Sequence, residues 1–352
     1  DLFFSREASK SATVRRHVDL LKDIHRYLGW MLHADAETNK RRANGRIAAT
    51  DLKTHLQSYL ERERYDVEVV SDIFDAMLER VVMIVSRVQG TYEFEVQPLR
   101  EYFAARYLYD TASYSPPGGE RSGTKPDRFD AIARNFYWLN VTRFFCGCFS
   151  KGELLDLVER VKDLVADPLL GRTRFPVTLG AMLLSDWVFA QTPKAVAELS
   201  EALSSREALR RLMPSNLYYR NDRAVRIPLQ CGGSTIVERA FEVVEDNQTP
   251  SDVVDRLSEF IRENTTSERV EQCWLAAASR NLQGNIARWL WLGGRLGALS
   301  NVPKDEIQIV LGSGLLSKEV LSLLFEAGRY DCCFTSEAHT EMLTSLGSVR
   351  IS

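Results

Sequence analysis

The chain has no apolar run long enough to cross a membrane as a helix. Phe175–Ser185, a typical charge-free stretch, has only eleven residues, against the roughly 18–20 that a spanning helix needs. It has no marked excess of charge of either sign. Lys plus Arg number 45 and Asp plus Glu 48, for a net charge of −3, which argues against a surface built throughout for nucleic acid. Cysteine is sparse, six in 352 residues. The pairs Cys146/Cys148 and Cys332/Cys333 are too close in sequence to staple distant segments, so free buried thiols in a reducing cytoplasm are expected. Histidine is sparser still, and four of the five (His17, His25, His33 and His55) fall in the first 55 residues. No carboxylate–histidine–nucleophile arrangement follows from that spacing, and the imidazoles are expected at or near the surface. No basic, apolar, small-residue signal pattern follows Asp1, and the chain is expected to be a piece of a longer polypeptide. Asn-x-Thr triplets begin at Asn140, Asn247 and Asn264, but without secretion they have no consequence.

What is present is the composition of a folded protein, 45% hydrophobic and 26% charged, with a length that suits two or three domains. Residues 17–33 place Val18, Leu21, Ile24, Leu28, Met31 and Leu32 on one helical face. The Asn44-Gly45 pair is a turn signal, followed by a short strand-like piece, Arg46–Ala48. Thr50 is expected to cap a helix to about Glu63 that buries Leu52, Leu56 and Leu60. A third helix, about 67–80, turns Val70, Ile73, Phe74 and Met77 inward. The period then changes. Residues 81–88 are rich in β-branched side chains, Gly90 interrupts, and 91–96 alternates, which reads as a hairpin.

Three helices and a two-stranded wing give the order of a winged-helix domain. Pro98 opens the next helix, which is apolar or aromatic almost all round and is expected to be buried against two neighbours. Residues 115–126 are a loop and the expected domain boundary. Residues 135–149, with six aromatics, are expected in a core helix or helix pair. From 151 onward amphipathic helices follow in series. Thr192-Pro193, Thr249–Asp252, Ser267 and Ser317 are read as helix starts, and 225–229 as strand-like. The expected fold is mostly α: a winged-helix domain with a β-hairpin wing, then an irregular, α-solenoid-like array. The expected organisation is a linker over 1–14, the winged-helix domain with its connecting helix over 15–112, a loop over 113–126, and a helical domain over 127–352.

Several motifs invite chemistry. Residues 118–125 (GGERSGTK) nearly spell a phosphate-binding loop, but the final pair is Thr124-Lys125 where the motif needs Lys before Ser or Thr. A helix precedes it instead of a buried strand, so an exposed linker is expected. Cys332, Cys333 and His339 supply three potential zinc ligands where a structural site needs four, so no metal is expected. Lys40-Arg41-Arg42 and Arg46 form a basic cluster. The third helix region, however, carries Asp66, Glu68, Asp72, Asp75 and Glu79 against one base, Arg80. A helix that reads a DNA groove lies among phosphates and needs the opposite sign.

One segment goes further than a fold class. Phe94–Leu108 (FEVQPLREYFAARYL), with Glu101, Tyr102, Phe103, Ala104, Ala105, Tyr107 and Leu108 at its centre, resembles the end of the winged-helix region in NACHT-type STAND ATPases. There a wing strand ending in Phe-x-His leads into a helix that begins with a Phe-Gln-Glu-Tyr-like run and continues with Ala-Ala-x-Tyr-Leu. The resemblance covers about residues 15–112. It implies the regulatory and sensing part of a nucleotide-dependent signalling ATPase, NLR-like and acting in innate or antiphage defence. ATP or ADP with magnesium would be held by sequence upstream, with no catalysis or cofactor in this chain. It implies a cytoplasmic protein that self-associates in its full-length form and a protein trigger, such as a phage component, read by the helical region. Tyr218, Tyr219, Arg220 and Arg223 are the candidate partner-binding residues there. The sequence departs from the family at Val96, which stands where the nucleotide-contacting histidine is expected and has no side-chain donor, and at Arg100, which replaces the usual glutamine. Two other readings of the same residues are a winged-helix transcription regulator with a helical effector domain and a non-enzymatic helical scaffold.

Overall fold

The computed structural model describes residues 2–38, 45–79, 83–114, 123–213, 225–281, 285–311 and 316–333. The chain forms two compact units, Asp1–Glu153 and Leu154–Ser352. It is mostly helical, with one small antiparallel sheet. No helix among the described residues is long and apolar enough to cross a membrane.

In the first unit α1 (Leu2–Lys10), α2 (Ala12–Arg16) and α3 (Val18–Thr38) are followed by β1 (Arg46–Ala48), α4 (Ala49–Arg62) and α5 (Val70–Glu79). Then come β2 (Ile84–Val85), β3 (Thr91–Phe94) and α6 (Gln97–Asp110). The strand order is β1-β3-β2, with Ile47 opposite Tyr92 and Ile84 opposite Phe94. The hairpin expected from the change of period is therefore present, and Arg46–Ala48 joins it as a third strand. Leu52, Leu56, Leu60, Ile73 and Met77 are fully buried, because the 3.6-residue period puts each on the inward face of its helix.

Residues 1–14, expected as a linker, carry two helices. Phe4 and Val14 lie in the core, and Arg15 donates to the carbonyls of Ala8 and Ser9 at the end of α1. The fourth helix begins at Ala49 with Ala48 as its cap, so Thr50 lies inside the first turn.

The unit continues through α7 (Lys125–Ala133) and α8 (Leu139–Cys146), with a 3-10 turn at Phe136–Trp138 between them. The expected boundary loop thus falls within this unit, and its residues 115–122 lie outside the described ones. Helix α6 packs on both α3 and α8, the two neighbours that its apolar circumference called for. Of the six aromatics in 135–149, Trp138, Phe145 and Phe149 are buried. Phe136, Tyr137 and Phe144 remain exposed, although Tyr137 touches His33 on α3 and Phe144 touches Tyr102 on α6.

The second unit begins with α9 (Leu154–Ala166), α10 (Phe175–Ser185), α11 (Pro193–Leu203), α12 (Arg206–Leu209), α13 (Gly233–Glu245) and α14 (Ser251–Asn264). It continues with α15 (Ser267–Asn281), α16 (Ile286–Leu296), α17 (Lys304–Leu311), α18 (Lys318–Glu326) and α19 (Tyr330–Cys333). One row runs α9, α11, α13, α15, each packed on the next, and α14, α16 and α18 form a second row. Ser317 caps α18 through the Val320 amide as its sequence position suggests. At α15 the cap is Thr266, which accepts from the Arg269 amide, and Ser267 is the first helical residue.

Val225–Pro228 forms no strand. Its backbone is bound instead by a side chain: the Ile227 amide donates to Asn264 Oδ1 (2.6 Å), and Asn264 Nδ2 donates to the Val225 carbonyl (2.8 Å). An asparagine amide offers the same donor–acceptor pair that a neighbouring strand would.

Trp274 and Trp289 stack face to face, ring centroids 4.1 Å apart and planes 7° from parallel. Each indole N–H donates to the other residue's carbonyl, at 2.8 and 2.9 Å. Gly293 makes room for the pair, since a Cβ there would lie 2.4 Å from the Trp274 ring. Near the end of the described chain, the buried Arg329 donates to the carbonyls of Leu299 and Val302 (both 2.6 Å) and pairs through two nitrogens with Asp331.

Candidate functional site

The residues singled out by resemblance build the seam between α3, α6 and α8. Phe94 at the end of β3 and Phe103 on α6 face each other at 5.7 Å, and both face the imidazole of His25 on α3, at 6.4 and 5.6 Å. Phe4 closes this box at 5.3 Å from His25. His25 is completely buried, as is His33 two turns on, contrary to the surface positions expected. Both follow the buried stripe of α3, and local sequence carries no sign that α6 and α8 will cover them.

His25 Nδ1 bonds to the Leu21 carbonyl at 2.7 Å, so Nδ1 carries the proton, and Nε2 has no partner among the described residues. Burial pushes its pKa down to about 4. Burial also pushes His33 down to about 4, with the neighbouring Arg100 charge acting in the same direction. The His33 ring lies 4.6 Å from both Tyr137 and Trp138. Beside it, Trp138 Nε1 donates to Glu37 Oε2 at 2.7 Å, and the Asn135 amide donates to the other oxygen, tying α8's entry turn to α3.

Ala104 and Ala105 are fully buried because α3 and α6 cross closely. A Cβ at Gly29 would lie 2.6 Å from Phe103 Cβ and 2.9 Å from the Ala104 amide nitrogen, so the crossing needs glycine on one helix and small residues on the other. Glu101, buried, accepts from Gln97 one turn earlier (2.8 Å) and from Asn140 on α8 (3.3 Å). Tyr107 stacks on Trp30 at 5.1 Å.

Two motif residues differ from the expectation that they lock into the core. Tyr102 is 38% exposed, and its ring meets Phe103 and, on the α8 side, the exposed Phe144 at 5.4 and 5.9 Å. Leu108 is half-buried, one turn beyond the α3 crossing. Val96, the cap of α6, is 47% exposed. The Arg100 guanidinium lies against Gly45, where a Cβ would meet Nη1 at 1.6 Å, and Gly45 has the positive φ (72°) that its turn requires. Val96 thus brings no side-chain donor to this end of α6, and Arg100 is buried against the Gly45 turn.

The resemblance of 118–125 to a phosphate loop has a structural explanation at its described end. Thr124 caps α7: its hydroxyl oxygen accepts from the Asp127 amide, and Asp127 Oδ2 accepts from the amides of Gly123 and Thr124. This reciprocal pair is a capping box. Lys125 is engaged as well. Its Nζ lies 3.7 Å from the Tyr109 ring centroid and 2.6 Å from Glu153 Oε1. Glu153 also accepts from the Tyr109 hydroxyl (2.6 Å) and from the Ser150 amide and hydroxyl. Desolvation opposes its charge, but the bonds from Lys125, Tyr109 and Ser150 outweigh that and hold its pKa down to about 2. A lysine so held is part of the packing of α7 and does not fit a phosphate.

Cys332 and Cys333 are buried beside Arg329 and His339 lies outside the described residues; no group of three metal-ligating side chains occurs among the described ones. Tyr218, Tyr219, Arg220 and Arg223 also lie outside them.

Sequence reading missed two adjoining grooves in the second unit, of about 620 and 550 Å³, which share Glu242. The first lies between α11 and α13, with Glu201, Arg206 and Arg239 along it. The second lies between α13 and α15, with Glu238, Glu245 and Arg269. Their side chains are the outward positions of amphipathic helices, a pattern that alone is indistinguishable from any solvated face. Compared with protein-family models, with curated proteins and with solved structures, the chain matches none.

Proposed function

We propose that this chain is the regulatory and ligand-sensing part of a NACHT-like STAND signalling ATPase that serves innate or antiphage defence. In this reading α3 to α6 with their sheet form a winged-helix switch, and the two rows of helices in the second unit form an irregular solenoid that reads a protein trigger. The observation that carries the reading is the element order. Three helices and an antiparallel β1-β3-β2 sheet lead directly into the helix that bears Glu101–Leu108.

The seam residues suit a switch that moves as one piece. The aromatic box around His25 and the Gly29–Ala104 crossing hold α3 and α6 at fixed spacing, so a change in what the module touches displaces the whole module. Trigger binding then biases a two-state rearrangement by its differential affinity for the two states. The grooves along α11, α13 and α15 offer fixed charges of both signs for specificity, and exchange there leaves the helix cores intact. Against a DNA-reading role, Glu68, Asp72 and Asp75 are exposed on α5 and the turn before it.

The chain itself contributes no catalytic group to this scheme, and nucleotide and magnesium belong to the upstream region that the resemblance implies. The test exchanges residues 154–352 in the full-length protein for those of a relative that answers a different trigger, and measures activation by each. The response is expected to follow the second unit. A response that stays with the first unit overturns the assignment, and so does steady ATP turnover by this chain that is lost in Lys125→Ala.

A further inference from the structure

Arginines from three helices gather at the end of α13. Arg206 on α12 ion-pairs with Asp246, the cap of α13. Arg210, one turn after Arg206, ends α12, and its carbonyl accepts from Arg256 Nη2 on α14 at 3.0 Å. Arg256 Nη1 pairs with Asp252 at 2.7 Å. Arg288, in the first turn of α16, lies over the Trp291 ring, 4.2 Å from its centroid. The charge of Asp246 is felt by Arg210 and Arg288 as well as by Arg206.

Two aspartates thus serve four arginines, and both are engaged. Asp246 Oδ1 accepts from the Gln248 amide (2.9 Å) and Oδ2 from Arg206, while Asp252 Oδ2 accepts from Arg256. Arg210 and Arg288 are left with no ion pair and no side-chain hydrogen bond among the described residues. Glu207, three residues before Arg210, makes no ion pair with it. Both arginines are half-buried, and their nitrogens divide into two sets. Nε of Arg210 and Nε and Nη2 of Arg288 are covered and unpartnered. The two Nη atoms of Arg210 and Nη1 of Arg288 are unpartnered too, but they reach solvent. Burial lowers the pKa of Arg288, and the Asp246 charge offsets this only in part. A cation partly desolvated and without a counter-charge is a cost to the fold, which an anion at the open nitrogens would reduce.

We infer that Arg210 and Arg288 together seat a phosphate dianion, with Arg206 and Arg256 beside it adding to the field. The guanidinium fork matches phosphate oxygens in spacing, and two unpaired cations match two negative charges. The seat is independent of the switch proposed above and of any nucleotide held upstream.

The probes are inorganic phosphate and phenyl phosphate, titrated into the whole chain at constant ionic strength with chloride as the balancing anion. The titration is run at about pH 8, where a phosphate has lost its second proton. Binding is followed by phosphorus NMR and by tryptophan fluorescence, since an anion drawn to Arg288 alters the cation over Trp291. Saturable binding is expected, weakened several-fold in Arg210→Gln and in Arg288→Gln. Trp291→Phe is expected to remove the fluorescence response while phosphorus NMR still shows binding. Tighter binding of phenyl phosphate identifies the ligand as a monoester, and tighter binding of inorganic phosphate identifies it as the free ion; both uphold the seat. Thermal melts establish that each variant is folded, and if Arg288→Gln is not, Arg210→Gln and the Trp291 response decide. Absence of saturable phosphate binding overturns the inference. So does binding undiminished in Arg210→Gln, or a fluorescence response that persists in Trp291→Phe.

Discussion

Mild acid is expected to loosen the first unit through His25 and His33. An unfolded histidine takes up its proton near pH 6.5, whereas both of these are held down to about 4 in the fold. The stability they allow is therefore present above pH 6.5 and is lost progressively as the pH falls towards 4, where the folded form also becomes protonated. Between pH 7 and 5 the linkage amounts to about 2 kcal/mol per histidine, with a steepest slope of about 2.4 kcal/mol per pH unit for the two together.

The structural origin is plain for His25. Its second proton would go on Nε2, which has no partner among the described residues, inside a box of Phe4, Phe94 and Phe103. His33 would gain a charge beside Arg100. Glu153 does not compete in this window, since its own loss begins only as the pH drops below about 4.5 towards its folded value of about 2. The assay is the urea midpoint measured from pH 7 to 5 for the wild type and for His25→Phe, which keeps an aromatic ring in the box. The variant is expected to lose about half of the acid slope. A slope unchanged in His25→Phe would refute the reasoning, as would a His25 ring proton that titrates near pH 6.5 by NMR in the folded protein.

Gly29→Ala should drive α3 and α6 apart and cost about 1–3 kcal/mol or more, because the added carbon meets backbone as well as Phe103; an unchanged melting temperature would show that the crossing relaxes freely. The parallel indoles of Trp274 and Trp289 should give an exciton couplet in far-ultraviolet circular dichroism, and Trp274→Phe should abolish it while costing about 0.5–1.5 kcal/mol for the indole hydrogen bond lost. Asn264→Ala should unpin Val225–Pro228, visible as faster hydrogen exchange at the Ile227 amide, whereas Asn264→Asp should retain that amide's protection because its carboxylate still accepts.

The sequence by itself determined the local elements. The 3.6-residue stripes of Leu52, Leu56 and Leu60 and of Ile73, Phe74 and Met77 placed α4 and α5. The Asn44-Gly45 signal, the β-branched run and Gly90 marked the turn and the hairpin, and Pro98 and Ser317 marked helix starts. These signals are legible because period, cap and turn chemistry act between residues a few positions apart.

The candidate site was legible only as a string of motif residues. Which of them turn inward depended on neighbours distant in sequence: Phe103 meets His25 from α3 and is buried, whereas Tyr102, one position earlier, turns towards the exposed Phe144 of α8 and stays 38% exposed. Lys125, expected in an exposed linker, is instead held by Tyr109 and Glu153, and 225–229 read as strand-like until Asn264 supplied the bonds that a strand would make. The burial of His25 belongs to the same class. Each depends on a pairing between elements whose register local periodicity leaves open, and tertiary packing alone decided it.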